Sequence, residues 1–178
     1  SVFLVGGLLF LCFLIWEAGG TSSPEPIIFL EDDKFYHVLC QEIDRAKEEI
    51  EVVMFLFKTT PNPFNRANGI LKKLKTAAMR GVRVKLVLER DSYPDSSVNQ
   101  SNMDTARRFS SGGAKVEIKF DSLRTVTHAK IIVIDKRLTF LGSHNFTQGA
   151  LKYNREASVL IDSREFAKEA LRYISSIE

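Results

Sequence analysis

The chain has 178 residues, 44% of them apolar and 26% charged, a globular composition long enough for one ordinary domain with its own core. Its two cysteines, Cys12 and Cys40, lack the neighbours of a zinc site or redox pair, and three histidines with no second ligand at metal spacing argue against a bound metal or other cofactor. A net charge of +3 suits a polyanionic substrate or an anionic membrane and selects neither.

In chain order, Val2 to Trp16 is an uncharged apolar run ended by Glu17, and residues 1–18 read as an N-terminal transmembrane helix with Trp16 at the lipid boundary. A secretory signal peptide is the alternative, because Ala18-Gly19-Gly20 offers small residues for cleavage. Glu17, Glu25, Glu31, Asp32 and Asp33 precede the first cation, Lys34, which by the positive-inside rule puts the folded part outside the cytoplasm. Gly19 to Pro26 is small, polar and Pro-containing, so 19–30 reads as a linker and 31–178 as the folded domain.

Within that domain, Phe35, Val38, Leu39, Ile43 and Ala46 recur at helical spacing and predict a helix from Asp33 to Glu49. Glu51 to Phe57 reads as a strand, Asn65 to Arg80 as a helix stopped by Gly81, and Arg83 to Glu89 as a β-branched strand. The polar, Pro-containing stretch Asp91 to Gln100 is a loop. Ser101 to Ser110 predicts a third helix, ended by Gly112-Gly113, and Lys115 to Phe120 another strand. His128 to Asp135 and Leu138 to Leu141 form a hairpin through Lys136-Arg137, and Ala157 to Ile161 is a last strand before a helix from Arg164. Such alternation implies an α/β fold with a mixed, largely parallel sheet between helical layers.

Chemistry concentrates between His128 and Asn145, which read His-Ala-Lys-Ile-Ile-Val-Ile-Asp-Lys-Arg-Leu-Thr-Phe-Leu-Gly-Ser-His-Asn. Side chains on a strand alternate, so His128 and Lys130, two apart, project from one face and aim an imidazole and an ammonium at one point. Asp135, an odd number of positions from His128, points to the other face and reads as a structural acid bonded to backbone or a basic neighbour near the hairpin. Gly142 serves close backbone approach or a positive φ before a polar turn. Ser143 is either an anion donor or plain turn chemistry.

This arrangement resembles the HKD signature of the phospholipase D superfamily, with His128, Lys130, Asp135, Gly142, Ser143 and Asn145 filling every motif position and Asn154-Arg155-Glu156 following. The resemblance is specific over Thr127 to Ile161. It implies a metal-free, two-step phosphodiester hydrolysis with His128 as nucleophile, forming a phosphohistidine, while Lys130, Ser143 and Asn145 neutralise the phosphoryl oxygens. It also implies that Glu156 orients the His128 ring; the plain alternative is a surface acid before a strand. A second histidine must protonate the leaving group. His144 stands between two phosphate-facing residues and points away, and His37 lies on the first helix. The motif occurs once, and small one-motif members pair two chains about a twofold axis, so a homodimer with a composite site is expected. A membrane-anchored phospholipase D-type hydrolase acting on membrane lipids is the first reading. A single-motif nuclease is the second, with Lys72, Lys73, Lys75, Arg80, Arg83, Lys85, Arg107, Arg108, Lys115, Lys119 and Arg124 available to track single-stranded nucleic acid. A non-catalytic adaptor is a third class, disfavoured by the intact motif.

Overall fold

A computed structural model describes residues 27–111 and 113–177. The anchor and most of the linker expected at the N-terminus lie outside these residues. Among the described residues no helix is long and apolar enough to cross a membrane.

Seven strands form one sheet, flanked by helices on both faces. In chain order the elements are β1 (Ile27–Glu31), α1 (Lys34–Arg45), β2 (Glu49–Met54), α2 (Arg66–Met79), β3 (Arg83–Leu88), α3 (Ser97–Ser110), β4 (Val116–Phe120), β5 (Lys130–Ile134), β6 (Leu138–Gly142), α4 (Gln148–Lys152), β7 (Ala157–Asp162) and α5 (Arg164–Ser176). Across the sheet the order is β1-β7-β6-β5-β2-β3-β4. Only β2–β3 and β3–β4 are parallel, and the other neighbours run antiparallel. The α/β architecture and mixed sheet match the expectation; "largely parallel" does not. Helical crossovers through α2 and α3 enforce the parallel half, whereas the tight turn between β5 and β6 permits only antiparallel pairing.

Local chemistry sets most boundaries. Asn65 and Ser163 cap α2 and α5 by accepting the N–H groups of Ala67 (2.8 Å) and Phe166 (3.1 Å). Gly81, at φ 97°, closes α2 in a conformation that favours glycine. The first helix stops at Arg45 rather than Glu49, because Lys47, Glu48 and Glu49 give their N–H groups to the carboxylate of Asp135 instead of a fourth turn. Capping by Ser96 starts α3 four residues earlier than its periodicity indicated.

One core lies between the sheet and α1–α4, with Phe35, Leu39, Ile43, Met54, Phe57, Leu74, Ile132 and Phe140 fully enclosed. On the opposite face α5 covers Val53, Val87, Ile131 and Val133 with Ala167, Ala170 and Ile174. Central β5 is buried along its whole length, as its unbroken apolar run requires. The domain begins before residue 31: Ile27–Leu30, read as linker, belong to edge strand β1, whose side chains are mostly exposed and whose backbone pairs with β7.

The registers align one end of every central strand. Met54 pairs with both Lys130 and Leu88, Leu88 with Phe120, and Gly142 with Ser158. That shared edge carries the loop leading to His128, the Gly142–Asn145 turn and Glu156.

Candidate active site

His128 sits just before β5 and is exposed, while Lys130, the first residue of that strand, is buried at 6% exposure. Shared parity brings them together: the Lys130 Nζ stands 3.0 Å from Nδ1 and 3.1 Å from Nε2 of His128, and donates to the His128 carbonyl at 2.6 Å. An atom equidistant from both ring nitrogens lies along neither lone pair, so the ammonium does not tie up the nitrogen that would attack. Phe55 forms the floor, its ring centroid 4.5 Å from the imidazole and 5.0 Å from Nζ. Burial lowers the Lys130 pKa, and the Glu156 carboxylate partly offsets this.

Opposite lies the turn after β6. Gly142 is there for close approach, not for a positive φ: an added Cβ would fall within 2.5 Å of the Ala157 carbonyl oxygen and collide with Ser158. The Ser143 hydroxyl donates to Glu156 and accepts from the Ala157 N–H at 3.1 Å. Asn145 is half-buried, and its Oδ1 is enclosed without a hydrogen-bond partner, an unmet capacity that a bound group can satisfy. Glu156 also accepts from Asn154 Nδ2 at 3.1 Å. Among the described residues no hydrogen bond joins Glu156 to His128. Its backbone is fixed from β1: Asp32, at φ 46°, donates to the Glu156 carbonyl at 2.9 Å and accepts its N–H at 3.1 Å.

Other motif positions point elsewhere. Asp135 lies at the far end of β5, in a hairpin turn made by Asp135 and Lys136, both at φ 51°, one residue earlier than expected. Its carboxylate accepts N–H groups from Lys47, Glu48 and Glu49 at 2.8–3.1 Å. His144 is fully buried, stacked on Phe35 with centroids 4.2 Å apart, donating through Nε2 to the Asp32 carbonyl (2.8 Å) and accepting from the Ser158 hydroxyl (2.7 Å). Burial lowers its pKa, keeping it neutral. His37 is exposed on α1, 3.9 Å from Asp33.

The structure adds residues that sequence reasoning missed. Glu89, at the end of β3 and 2% exposed, accepts the Thr127 N–H at 2.6 Å, and Asp121 accepts the Thr127 hydroxyl. Burial, with Asp121 and Asp91 nearby, raises the Glu89 pKa against the opposing Thr127 bond. Thr127 immediately precedes His128, so these two acids hold the backbone that delivers the imidazole. Buried Asn102 of α3 donates to the Phe55 and Glu89 carbonyls at 2.9 Å each and accepts from the Phe57 N–H at 2.8 Å, fixing the floor residue. An acid closing a strand at the edge where α/β sheets bind ligands was the available signal.

Among the described residues no group of three or more His, Cys, Asp or Glu is placed to hold a metal ion. With His128 and Ser143 exposed, the single chain leaves the site open on the sheet edge.

Comparison with known proteins gives the same picture. A family model described as "Cardiolipin synthase, PLD-like domain" matches residues 39–177. A phospholipase D of Rickettsia felis is 30% identical over 139 residues, covering 75% of this chain and 59% of that protein. The mitochondrial cardiolipin hydrolase of Mus musculus is 25% identical over 123 residues, covering 69% of this chain and 48% of that protein. The chain thus spans about three-fifths or less of these relatives. The crystal structure of Nuc, a phospholipase D family member from Salmonella typhimurium, superposes with a TM-score of 0.68 at 23% identity, over 85% of this chain and 93% of that one, a likeness of fold. With the family model running through both the motif strand and Glu156, the chain belongs to the phospholipase D superfamily, as a PLD-like domain.

Proposed function

We propose that this chain is a membrane-anchored phosphodiesterase that hydrolyses the headgroup-side phosphodiester of phospholipids through a phosphohistidine on His128. The observation that carries the reading is the buried Lys130 ammonium held 3.0–3.1 Å from an exposed His128 ring whose lone pairs it does not occupy. A phosphodiester anion repels nucleophiles until its oxygens are neutralised. Lys130 supplies the charge and Asn145 its amide N–H, while the Ser143 hydroxyl, which donates to Glu156 in the free chain, turns to the phosphate as it binds. His128 attacks phosphorus, the P–O bond to the headgroup breaks, and the leaving oxygen takes a proton from a second acid. Water then cleaves the N–P bond, giving up its proton to that same group and restoring neutral His128.

His144 is buried away and His37 lies on α1, so the second acid is His128 of another copy across a twofold axis. A homodimer would also close the open sheet edge. Glu156 holds the Ser143 hydroxyl and balances the Lys130 charge in this scheme, and orients the imidazole once the composite site is assembled. The apolar segment over 1–18 anchors the domain, on the extracytoplasmic side, within reach of lipid headgroups.

The nuclease reading is weakened by where the cations lie. Lys73, Arg83 and Arg107 are paired with Asp44, Glu49 and Asp104, Lys119 stands 3.5 Å from Glu117, and Lys75 and Arg80 bond to backbone carbonyls. Purified full chain is assayed in chelator against mixed phospholipid vesicles and short single-stranded DNA. Headgroup release, with transfer to added primary alcohol, is the expected result. Cleavage of DNA alone, falling steeply with salt, overturns the lipid reading.

A further inference from the structure

A cleft of about 430 Å³ opens on the same sheet edge, walled by the loops after β3 and β4 and by α3. Its size falls in the range of ligand pockets, roughly 300–1,000 Å³. Pro94, Met103, Phe120 and Leu123 give it an apolar lining, and three of these keep large exposure for apolar side chains: Phe120 36%, Met103 50% and Leu123 54%. Apolar surface gathered in a concavity beside a reaction centre is unfavourable unless something covers it.

The Asn99 amide in the wall is already used. Asn99 accepts the Asp91 N–H at 2.9 Å and donates to the carbonyls of Asp91 (2.9 Å) and Tyr93 (2.8 Å). The Asp91 carboxylate accepts the Tyr93 N–H at 3.0 Å. A nucleobase needs donors and acceptors for its edge, and the Asn99 amide is committed to holding the loop. The one cation at the mouth, Arg90, has no ion pair among the described residues and complements an anionic phosphate or headgroup.

Continuity with the reaction centre comes through shared backbone. Leu123 belongs to the segment that ends at Thr127 and His128, and Arg90 follows Glu89, which binds Thr127. Phe120, Leu88, Met54 and Lys130 stand in register on adjacent strands, so the cleft lies two to three strand spacings from Lys130, about 10–14 Å. The glycerol arm of a phospholipid and the first part of an acyl chain span that distance.

We infer that the cleft lined by Met103, Phe120 and Leu123 is an acyl-chain subsite, which seats one fatty-acyl chain of the substrate while its phosphodiester lies at His128 and Lys130. This rests on the phospholipid reading and adds where the enzyme measures its substrate. Each methylene seated lowers KM by about fourfold, the equivalent of roughly 0.8 kcal/mol, when fully buried, and less at a half-open wall.

The test uses full-length protein with dibutanoyl- and dihexanoyl-phosphatidylcholine below their micelle concentrations, and bis(4-nitrophenyl) phosphate as a phosphodiester without acyl chains. Leu123→Asp and Met103→Asp change half-exposed positions, so the fold is spared, and an unchanged rate on the acyl-free diester checks this. Expected is a several-fold lower KM for dihexanoyl than dibutanoyl lipid in the natural chain, and loss of that preference in both variants with kcat retained. If the natural chain hydrolyses both lipids with equal KM, or the variants keep the preference, the subsite is wrong and the lipid reading stands. If no phospholipid is hydrolysed while single-stranded DNA is cut, the lipid reading fails and the subsite with it.

Discussion

Asp135 is the motif residue whose role the structure separates from chemistry, and its replacement tests that separation. It lies five residues along β5 from Lys130, about 16 Å at the rise of a strand. Its Oδ1 accepts from Glu48 and Glu49 at 2.8 and 3.1 Å, its Oδ2 from Lys47 at 2.9 Å, and its backbone sits at φ 51°. Hydrogen bonds to a charged acceptor are worth about 1.5–3 kcal/mol each, and solvent access places these at the lower end, so three total roughly 4 kcal/mol. Left-handed backbone adds about 1 kcal/mol for alanine, which asparagine largely avoids. Asp135→Ala therefore loses about 4–5 kcal/mol, a large part of the 5–15 kcal/mol typical of a domain. Asp135→Asn keeps one acceptor oxygen and loses about 2 kcal/mol. Urea unfolding followed by fluorescence gives both values, and kcat on a soluble phosphodiester is measured where each variant is folded. Expected is a graded loss of stability with kcat within about threefold of the natural chain. An Asp135→Asn protein of undiminished stability whose kcat has fallen a thousandfold would refute the structural assignment and return Asp135 to the reacting set.

His128→Ala removes the nucleophile from an exposed position, so turnover is lost while the thermal midpoint and sedimentation are unchanged; more than trace activity in the purified variant would show the nucleophile misassigned. Lys130→Met deletes the neutralising charge and should lower kcat/KM by at least 10²–10³, with unchanged kinetics contradicting its role. Because burial depresses the Lys130 pKa, the alkaline limb of kcat/KM should begin below the ordinary lysine value of about 10.4, and a profile flat to that pH argues against a required ammonium. Gly142→Ala puts a methyl group into Ser158 and the Ala157 carbonyl, costing about 3 kcal/mol or a midpoint shift of roughly 6–12 °C, measurable by calorimetry. Glu89 has a raised folded pKa, so its contribution is fully present below the ordinary glutamate pKa and is lost as pH rises through the raised value. Glu89→Gln should therefore gain stability relative to the natural chain between acid and neutral pH, and an equal difference at both ends would count against a strained carboxylate.

Much of this was legible in the sequence because the signals are local. Glycine stops and apolar periodicity located the principal helices, a β-branched run located β5, and two-residue alternation put His128 and Lys130 on one face. What escaped depends on partners remote in sequence. Ile27-Ile28-Phe29-Leu30 is an apolar run after Pro26 that the linker reading passed over; only Leu30 is buried, and what makes the run an edge strand is backbone pairing with β7, more than a hundred residues away. The five-residue α4 is shorter than two helical turns, too brief for periodicity, and is announced only by Thr147 accepting the Ala150 N–H. Glu89 reads as the polar end of a strand until Thr127, 38 residues later, is seen to donate to it.

The pattern of hits and misses has a physical reading. The motif residues proposed to meet the phosphate lie on two short adjacent segments, where strand geometry alone fixes their relation. Residues that hold those segments in place come from everywhere else: Asp32 on Glu156, Glu89 and Asp121 on Thr127, Asn102 on Phe55, Asp135 on the start of β2. Asp121 binds the Thr127 hydroxyl, and the others are polar side chains satisfying backbone groups beside strand ends, where the ladder hydrogen bonds run out and an unmet N–H or carbonyl would otherwise be costly. The geometry of the candidate site is therefore held by the same side chains that finish the sheet edge. It follows that substitutions far from His128 in sequence, at Asn102 or Asp32, act on the reaction by loosening its floor or its acid while the motif itself stays intact.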